Sequence, residues 1–197
     1  MRSPCYVVSR SKGADWSAAE RAALTHTGWL PPSPVAAWFQ ACHDGEHLYL
    51  RMEAEESPVR ATLTGPLEQV CQDSCLEFFL APEGGERYFN FELNPLGTLC
   101  LSFGVQPPMR VRQLPKDLEQ FQICPFTTPK GWGVSFAVPV RFLRLYFPQF
   151  DLKGEAAANF YKCGDACAVP HYLAWSPLTS AAPDFHRRQD FGRLIFE

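Results

Sequence analysis

The sequence contains no long apolar run, few charged residues and no cluster of basic side chains. No hydrophobic stretch approaches the ~20 residues that cross a bilayer as a helix. Charged residues make up 20% of the 197 residues, with 18 Lys+Arg against 21 Asp+Glu and a net charge of −3. A nucleic-acid-binding protein needs a basic surface that displaces counterions. The composition therefore predicts neither a nucleic-acid partner nor a membrane partner.

Several motifs are also missing from the chain. It has no glycine-rich phosphate loop and no serine nucleophile elbow. The apolar run at residues 5–8 is shorter than the roughly 7–15-residue core of a secretory signal. A cytoplasmic location is therefore expected by default, and secretion if a leader has been removed. No Pro-rich or Ser/Gly-rich linker divides the sequence, which predicts a single domain over residues 1–197.

What the sequence has in abundance is aromatic residues and turn formers. Aromatic side chains make up 14%, together with 18 Pro and 13 Gly, a composition that favours short strands and many turns. Period-two alternation predicts an all-β fold, an antiparallel β-sandwich of jelly-roll or immunoglobulin-like type with about nine or ten strands. One or two short helices are expected, at 17–24, where Ser17 and Glu20 fit a capping box, and at 142–147. The predicted strands are 35–41, 47–52, 75–80, 88–94, 99–103, 120–124, 132–138, 156–161, 171–175 and 191–196.

The hairpin pattern at 75–94 holds the main candidate binding residues. Leu76 and Phe78 alternate with Glu77, so one face of the first strand is apolar and the other polar. The polar face continues on the second strand with Asn90, Glu92 and Asn94. Carboxylates and amides can hold adjacent hydroxyl groups, which suits a polyhydroxylated ligand. A solvent-exposed face of an antiparallel sheet has the same pattern, so both interpretations stay open.

The glutamate pair and Trp175 each allow more than one interpretation. Glu77 and Glu92 could form the acid/base pair of a glycoside hydrolase, if their carboxyl groups lie ~5 Å or roughly 6.5–9.5 Å apart. Trp175, at a predicted strand end before Pro177, could stack on a sugar ring or could belong to the core.

Eight cysteines are spread along the chain, at positions 5, 42, 71, 75, 100, 124, 163 and 167. The spacing Cys-x3-Cys occurs at 71/75 and at 163/167 and would permit a four-thiolate zinc site. Structural zinc ligands usually lie in tight knuckles, whereas these cysteines are predicted in strands. The sequence therefore favours free thiols and no metal site.

Five segments in chain order resemble one known family. They are 72–80, 88–98, 158–165, 171–177, and 185–186 with 191–194. Together they are similar to the family 9 carbohydrate-binding modules, in particular a stand-alone bacterial group. The resemblance implies a β-sandwich related to the DOMON sugar- and haem-binding domains. It also implies non-catalytic carbohydrate binding in polysaccharide catabolism, in association with glycoside hydrolases that act on O-glycosyl bonds.

The resemblance also assigns binding residues. Modules of this family hold a sugar between two tryptophans, and Trp175 matches one of these walls. Glu77 matches the family's glutamate. The remaining ligand-binding positions that the resemblance implies are Asn90, Glu92, Asn94, Asn159 and Tyr161. One aromatic wall would give modest affinity, because little binding energy then exceeds the cost of ordering the ligand.

The second aromatic wall is where the sequence departs from the family. Cys71 stands at its expected position, so Trp38, Tyr49 or Tyr161 would have to substitute for it. Some family members hold structural calcium, but this sequence has no dense Asp/Asn loop; no cofactor is predicted, and structural calcium stays open. A sandwich that has lost sugar binding and serves as an interaction or ligand-carrier domain remains the third functional alternative.

Overall fold

Strands make up most of the protein, whose computed structural model describes residues 3–197. The fourteen strands are β1 (Cys5–Arg10), β2 (Ala22–Ala23), β3 (His26–Thr27), β4 (Ala36–His43), β5 (His47–Glu55), β6 (Cys75–Ala81), β7 (Tyr88–Leu93), β8 (Leu99–Gly104), β9 (Arg110–Gln113), β10 (Cys124–Thr128), β11 (Gly131–Pro139), β12 (Gly154–Cys163), β13 (Tyr172–Ala174) and β14 (Gly192–Phe196). One short helix, α1, spans Val140–Leu143, and 3-10 turns lie at Val70–Gln72, Glu119–Phe121 and Arg188–Asp190. The predicted domain includes residues 1–2, which lie outside the described residues, and its single-domain organisation stays a prediction.

The strands form one curled sheet that folds back on itself as a sandwich. Its order is β10-β11-β5-β4-β1-β14-β12-β6-β7-β8-β9, with β13 beside β12 and β2 beside β4. We call β14, β12, β13, β6, β7, β8 and β9 the site sheet, and β10, β11, β5 and β4 the opposite sheet. The all-β sandwich predicted from the sequence is confirmed.

Strand β1 joins the two sheets and is the exception to antiparallel pairing. Residues 5–8 run parallel to β14, and Ser9 and Arg10 then run parallel to β4. No strand was predicted from the sequence at residues 5–10. Both partners of β1 are distant in sequence, so no local turn signal marks the pairing.

Aromatic residues fill the space between the two sheets. Phe39 of β4 stacks on Phe160 of β12 with ring centroids 3.5 Å apart, and Phe78 stacks on Phe160 at 4.9 Å. Leu76, Phe78 and Leu80 lie on this core face of β6, as their alternation predicted. The opposite face of β6 is also buried, so every residue of this strand is shielded from solvent.

The helix predicted at 17–24 is wrong. Ser17 turns back to Asp15, whose Oδ1 accepts hydrogen bonds from the Ser17 amide at 3.0 Å and hydroxyl at 2.6 Å. The segment then passes into β2. Gln40 holds this bent segment in place, because its Nε2 donates to the carbonyls of Trp16 and Ala19 at 2.9 and 2.8 Å. Tertiary contacts thus override the local capping pattern.

The other predicted elements mostly agree with the structure within a few residues. The stretch predicted as a strand at 120–124 is instead a 3-10 turn followed by β10, and the helical turn expected at 142–147 begins earlier, as α1. Strands β2, β3 and β9 were not predicted. No helix in the described residues is long and apolar enough to span a membrane.

Candidate functional site

The outer face of the site sheet carries a buried polar centre. Register pairing places Glu77 of β6 directly beside Glu92 of β7 on one side and Tyr161 of β12 on the other. Cys163 lies two register positions further along β12, beside Cys75. Because side chains alternate across a strand, all five project to the face opposite the aromatic core.

A cavity of about 210 Å³ lies over this centre. Its floor includes Glu77, Glu92, Phe79 and Cys163. Tyr172 of β13 and Cys71 of the 3-10 turn at Val70–Gln72 also line it. Loops supply the rest of the lining, with residues Trp29, Asp165, Pro183, Asp184, Phe185 and His186. The cavity therefore combines carboxylates from regular strands with aromatic and polar side chains from three separate loop regions.

Three half-buried aromatic rings form one side of the cavity. The Trp29 ring lies edge to face against Tyr172, with ring centroids 5.4 Å apart. It is tilted against Phe185, with ring centroids 5.6 Å apart. The Trp29 indole is held in place because Nε1 donates to the carbonyl of Ser180 at 2.8 Å. Phe185 in turn stacks on the buried Tyr161 at 4.1 Å. We call Trp29, Tyr172 and Phe185 the aromatic wall.

The two carboxyl groups on the floor titrate at unusually high pH. Burial raises the pKa of Glu92 to about 7, although the amide of Asn90 donates to Glu92 and favours its charged form. Burial also raises the pKa of Glu77 well above its usual range, and the neighbouring Glu92 adds to this effect. Desolvation and like charge both disfavour the ionised form. The floor thus holds carboxyl groups that can donate as well as accept hydrogen bonds near neutral pH.

A chain of polar contacts leads from Glu92 to the cavity rim. Asn90 donates to Glu92 and accepts from Arg110, whose guanidinium lies 4.1 Å from the Tyr88 ring centroid. The Tyr88 hydroxyl is 2.9 Å from Nδ1 of His186. Burial, followed by the charge of Arg110, lowers the pKa of His186 to about 4. His186 is therefore neutral at physiological pH and can exchange hydrogen bonds in either direction.

Trp175 lies elsewhere. Its side chain is 8% exposed and packs edge to face against Phe39 and Phe160, inside the core between the sheets. Strand parity is the reason, since Trp175 falls on the same face as Leu173, while Tyr172 and Ala174 share the other. Trp175 therefore does not line the cavity, whereas Tyr172 does.

Two predicted ligand contacts have all their polar atoms engaged within the protein. Asn94 donates to the Leu63 carbonyl and to Asp73, and its Oδ1 accepts from the amides of Leu96 and Thr98. Asn159 is fully buried; its Nδ2 donates to two backbone carbonyls and its Oδ1 accepts from two amides. Both amides therefore hold loops in place, and neither lines the cavity.

The remaining candidates divide between the two sheets. Tyr161 is fully buried below Phe185 and donates to its carbonyl at 3.2 Å, so it supports the aromatic wall from beneath. Trp38 and Tyr49 belong to the opposite sheet, where Trp38 stacks with Arg21 and Tyr49 binds Asp44. Cys71 lies at the cavity, where the resemblance led us to expect an aromatic residue. Ligand contacts by Glu77, Asn90 and Glu92 stay predictions.

Sequence reasoning did not identify Trp29, Phe185, His186 or Arg110 as site residues. Trp29 and Phe185 come from irregular segments, where no periodicity shows which way a side chain points. Tyr172 could have been found, because alternation along 171–175 places it opposite Leu173 and Trp175.

Comparison with known proteins identifies the family. The sequence profile of carbohydrate-binding family 9 matches residues 17–196. The chain belongs to carbohydrate-binding family 9. No curated protein is significantly similar to this family member.

Solved structures agree with the family assignment. A protein from Bacteroides uniformis, provisionally named as carbohydrate-binding, is 29% identical with a TM-score of 0.87, covering 99% of this chain and 100% of its own. A family 9 module from Caldicellulosiruptor kristjanssonii in complex with cellotriose is 13% identical with a TM-score of 0.70, covering 98% and 93%. The same organism's module in complex with glucose is 14% identical with a TM-score of 0.70, covering 98% and 96%. The two modules share the fold of this chain.

Proposed function

We propose that the chain binds carbohydrate without cleaving it, and that the cavity on the site sheet is the binding site. The observation that supports this most strongly is the meeting of Glu77 and Glu92 with the aromatic wall in one cavity. Sugar recognition needs this combination, because the apolar face of a ring contacts aromatics while its rim hydroxyls require hydrogen-bonding partners. Membership of family 9 supports the same function.

The sugar ring lies against the aromatic wall, with Tyr172 as its principal contact. Tyr172 is half-buried and projects from β13 beside Cys163, its register partner on β12. Glu92 and Glu77 then bind ring hydroxyls from the floor. With carboxyl pKa values raised, each can accept a hydrogen bond or, when protonated, donate one.

The size of the cavity limits the ligand. Its volume of about 210 Å³ is below the roughly 300–1,000 Å³ of pockets for drug-sized ligands. One sugar unit therefore occupies the cavity, and further units of a chain extend into solvent. Glucose and cello-oligosaccharides are the first ligands to test, since the Caldicellulosiruptor modules were solved with glucose and cellotriose.

Isothermal titration calorimetry against a panel of mono- and oligosaccharides tests the proposal. The wild-type chain should give saturable heat, and Tyr172→Ala should weaken binding at least about tenfold, a loss of ~1.4 kcal/mol. Tyr49→Ala is the matched control, because Tyr49 is a half-buried strand tyrosine on the opposite sheet. No heat with any sugar, or equal loss in both variants, would contradict the proposed site.

A glycoside hydrolase is the second candidate, and the raised pKa values of Glu77 and Glu92 favour it. A carboxyl group that stays protonated near neutral pH is the usual general acid of such enzymes. Turnover of aryl glycosides that is lost in Glu92→Gln would establish this activity. If the wild-type chain binds sugar but shows no turnover, this result would favour non-catalytic binding over glycoside hydrolysis.

The wider role follows from the family resemblance. We propose that the chain assists glycoside hydrolases in polysaccharide catabolism. If so, adding the chain should speed hydrolysis of a glycan that it binds, and Tyr172→Ala should remove the gain. An equal gain with Tyr172→Ala would argue against this role.

A further inference from the structure

Three buried donor atoms meet beside the cavity, on the outer face of the site sheet. The thiols of Cys75 and Cys163 and a carboxylate oxygen of Glu77 all lie within 4.8 Å of one another. Cys75 and Cys163 are direct register partners on β6 and β12, and Glu77 follows two residues along β6 on the same face. Their exposed fractions are 0%, 1% and 3%.

This cluster lacks an internal cation. In residues 3–197, the Glu77 carboxylate accepts one hydrogen bond, from the Cys163 thiol at 2.9 Å, and forms no ion pair. The nearby Lys162 ammonium is engaged with Glu56 at 3.0 Å. A bound cation would supply the positive charge that this cluster does not receive from a neighbouring side chain.

We propose that Cys75, Glu77 and Cys163 bind a Zn²⁺ ion. Two thiolates and one carboxylate are a donor set that zinc accepts, with Zn–S of about 2.3 Å and Zn–O of about 2.0–2.2 Å. A tetrahedral ion at such distances separates its donors by about 3.3–3.8 Å, within the 4.8 Å that the cluster spans. Soft thiolates disfavour Ca²⁺ and Mg²⁺, which take oxygen ligands.

The fourth coordination position faces the cavity. Glu77 and Cys163 both line it, whereas Cys75 lies behind them. A water molecule or a ligand oxygen completes the coordination from that side. Binding releases the protons of both thiols and of the carboxyl group as Zn²⁺ takes their place. This proposal does not depend on carbohydrate binding at the cavity.

The site differs from the four-thiolate arrangement that the two Cys-x3-Cys spacings would permit. Cys167 is separated from the cluster and lies 3.6 Å from the Ser74 hydroxyl and 3.8 Å from Glu56. Cys71 lines the cavity but is not part of the three-donor group. Strand pairing, rather than spacing in the sequence, brings one cysteine from each motif together.

Cobalt titration of the full chain tests the proposal. The exposed thiols Cys5 and Cys124 are first replaced in a Cys5→Ser/Cys124→Ser background, and the protein is stripped of metal and kept reduced. Co²⁺ should bind with one equivalent, giving a thiolate-to-cobalt charge-transfer band and the visible bands of a tetrahedral site. Zn²⁺ should displace it.

Variants in the same background locate the ion. Cys75→Ser and Cys163→Ser should each abolish the charge-transfer band or weaken binding at least about 100-fold, and Glu77→Gln should weaken it about tenfold. Cys42→Ser is the matched control, because Cys42 is a fully buried strand cysteine on the opposite sheet. Circular dichroism checks folding. If either serine variant unfolds, the metal affinity of Glu77→Gln, which keeps both thiols, tests the site instead. Absence of the band in the background protein, or unchanged affinity in Glu77→Gln, would overturn the proposal.

Discussion

Replacement of Lys162 by methionine should destabilise the protein more than any surface substitution. Lys162 is fully buried at the end of the sandwich, and its ammonium lies 3.0 Å from Glu56 Oε2. It also donates to Nε2 of His171 at 2.7 Å and to the Cys163 carbonyl at 2.8 Å. His171 can accept because its Nδ1 donates to the Val169 carbonyl at 2.8 Å.

The expected magnitude follows from what the substitution leaves behind. Glu56 would keep hydrogen bonds from Ser74 at 2.6 Å and Trp132 at 2.9 Å but would lose its ammonium partner. His171, whose Nε2 lies 3.7 Å from Glu56 Oε1, carries a counter-charge only when it is protonated. Removing one partner of a buried ion pair costs about 3–5 kcal/mol, because the remaining charge is buried and unpaired. Lys162→Met should therefore lower the free energy of unfolding by about this amount. Glu56→Gln in the same chain should recover about 2 kcal/mol of the loss.

Urea unfolding followed by tryptophan fluorescence measures the effect. The matched control is Lys153→Met, whose exposed side chain pairs with Asp151 at 3.3 Å; it should change stability by less than about 0.5 kcal/mol. A loss below about 1 kcal/mol for Lys162→Met would show that Lys162 does not stabilise a buried Glu56 charge.

The same pair predicts a pH dependence. Burial alone would raise the pKa of Glu56, but Lys162 and three hydrogen bonds lower it below its usual value. A carboxyl group with a lowered folded-state pKa contributes stability above its unfolded pKa of about 4.3 and loses it as pH falls through the folded value. The difference in the free energy of unfolding between wild type and Lys162→Met should therefore be largest at neutral pH and should become small below about pH 4. A gap that widens in acid would contradict this assignment.

Three further substitutions test the structural roles assigned above. Asn159→Ala should lower the free energy of unfolding by about 2–4 kcal/mol, because it leaves buried amides and carbonyls around Ser176 unpaired. Thermal unfolding measures this loss, and a value under ~1 kcal/mol would contradict the structural role of Asn159. Gly192→Ala should cost about 1–3 kcal/mol, because the added Cβ would lie 2.5 Å from the Trp175 ring, whereas Gly84→Ala, with open space around it, should be neutral. Equal stabilities of these two variants would argue against the packing. Trp175→Phe should lower stability by about 1–3 kcal/mol through lost core packing yet keep sugar affinity within twofold by calorimetry; a large loss of affinity in a folded variant would return Trp175 to the binding site.

Strand patterns in the sequence were sufficient for much of the fold. The alternation of Leu76, Glu77 and Phe78 predicted both the hairpin and its core face, because one face of a strand must enter the core. The strand β1 left no such signal, since its pairing with β4 and β14 is parallel and non-local. The capping box at Ser17 was misleading because a non-local contact decides here too: Gln40 of β4 holds residues 16–19 in a non-helical bend.

The candidate site was less predictable than the fold. Glu77 and Glu92 were found because they lie on regular strands whose register can be inferred. Trp29 and Phe185 were not found, because tertiary contacts such as the Trp29–Ser180 hydrogen bond determine their positions. For Trp175 the family resemblance and the strand pattern point in different directions. The resemblance implied that Trp175 stacks on a sugar, whereas alternation places it on the same strand face as Leu173, which faces the core.

Chemical-shift mapping of the isotope-labelled chain tests whether sugars bind at the cavity on the site sheet. The sugars are those of the titration panel, beginning with glucose and cellotriose. Saturable shifts are expected, centred on Tyr172, Phe185, His186 and the strand amides at Glu77 and Glu92. Tyr172→Ala should reduce them, and Tyr49→Ala should leave them unchanged. No shifts with any sugar, or shifts centred on the opposite sheet, would contradict carbohydrate binding at this cavity.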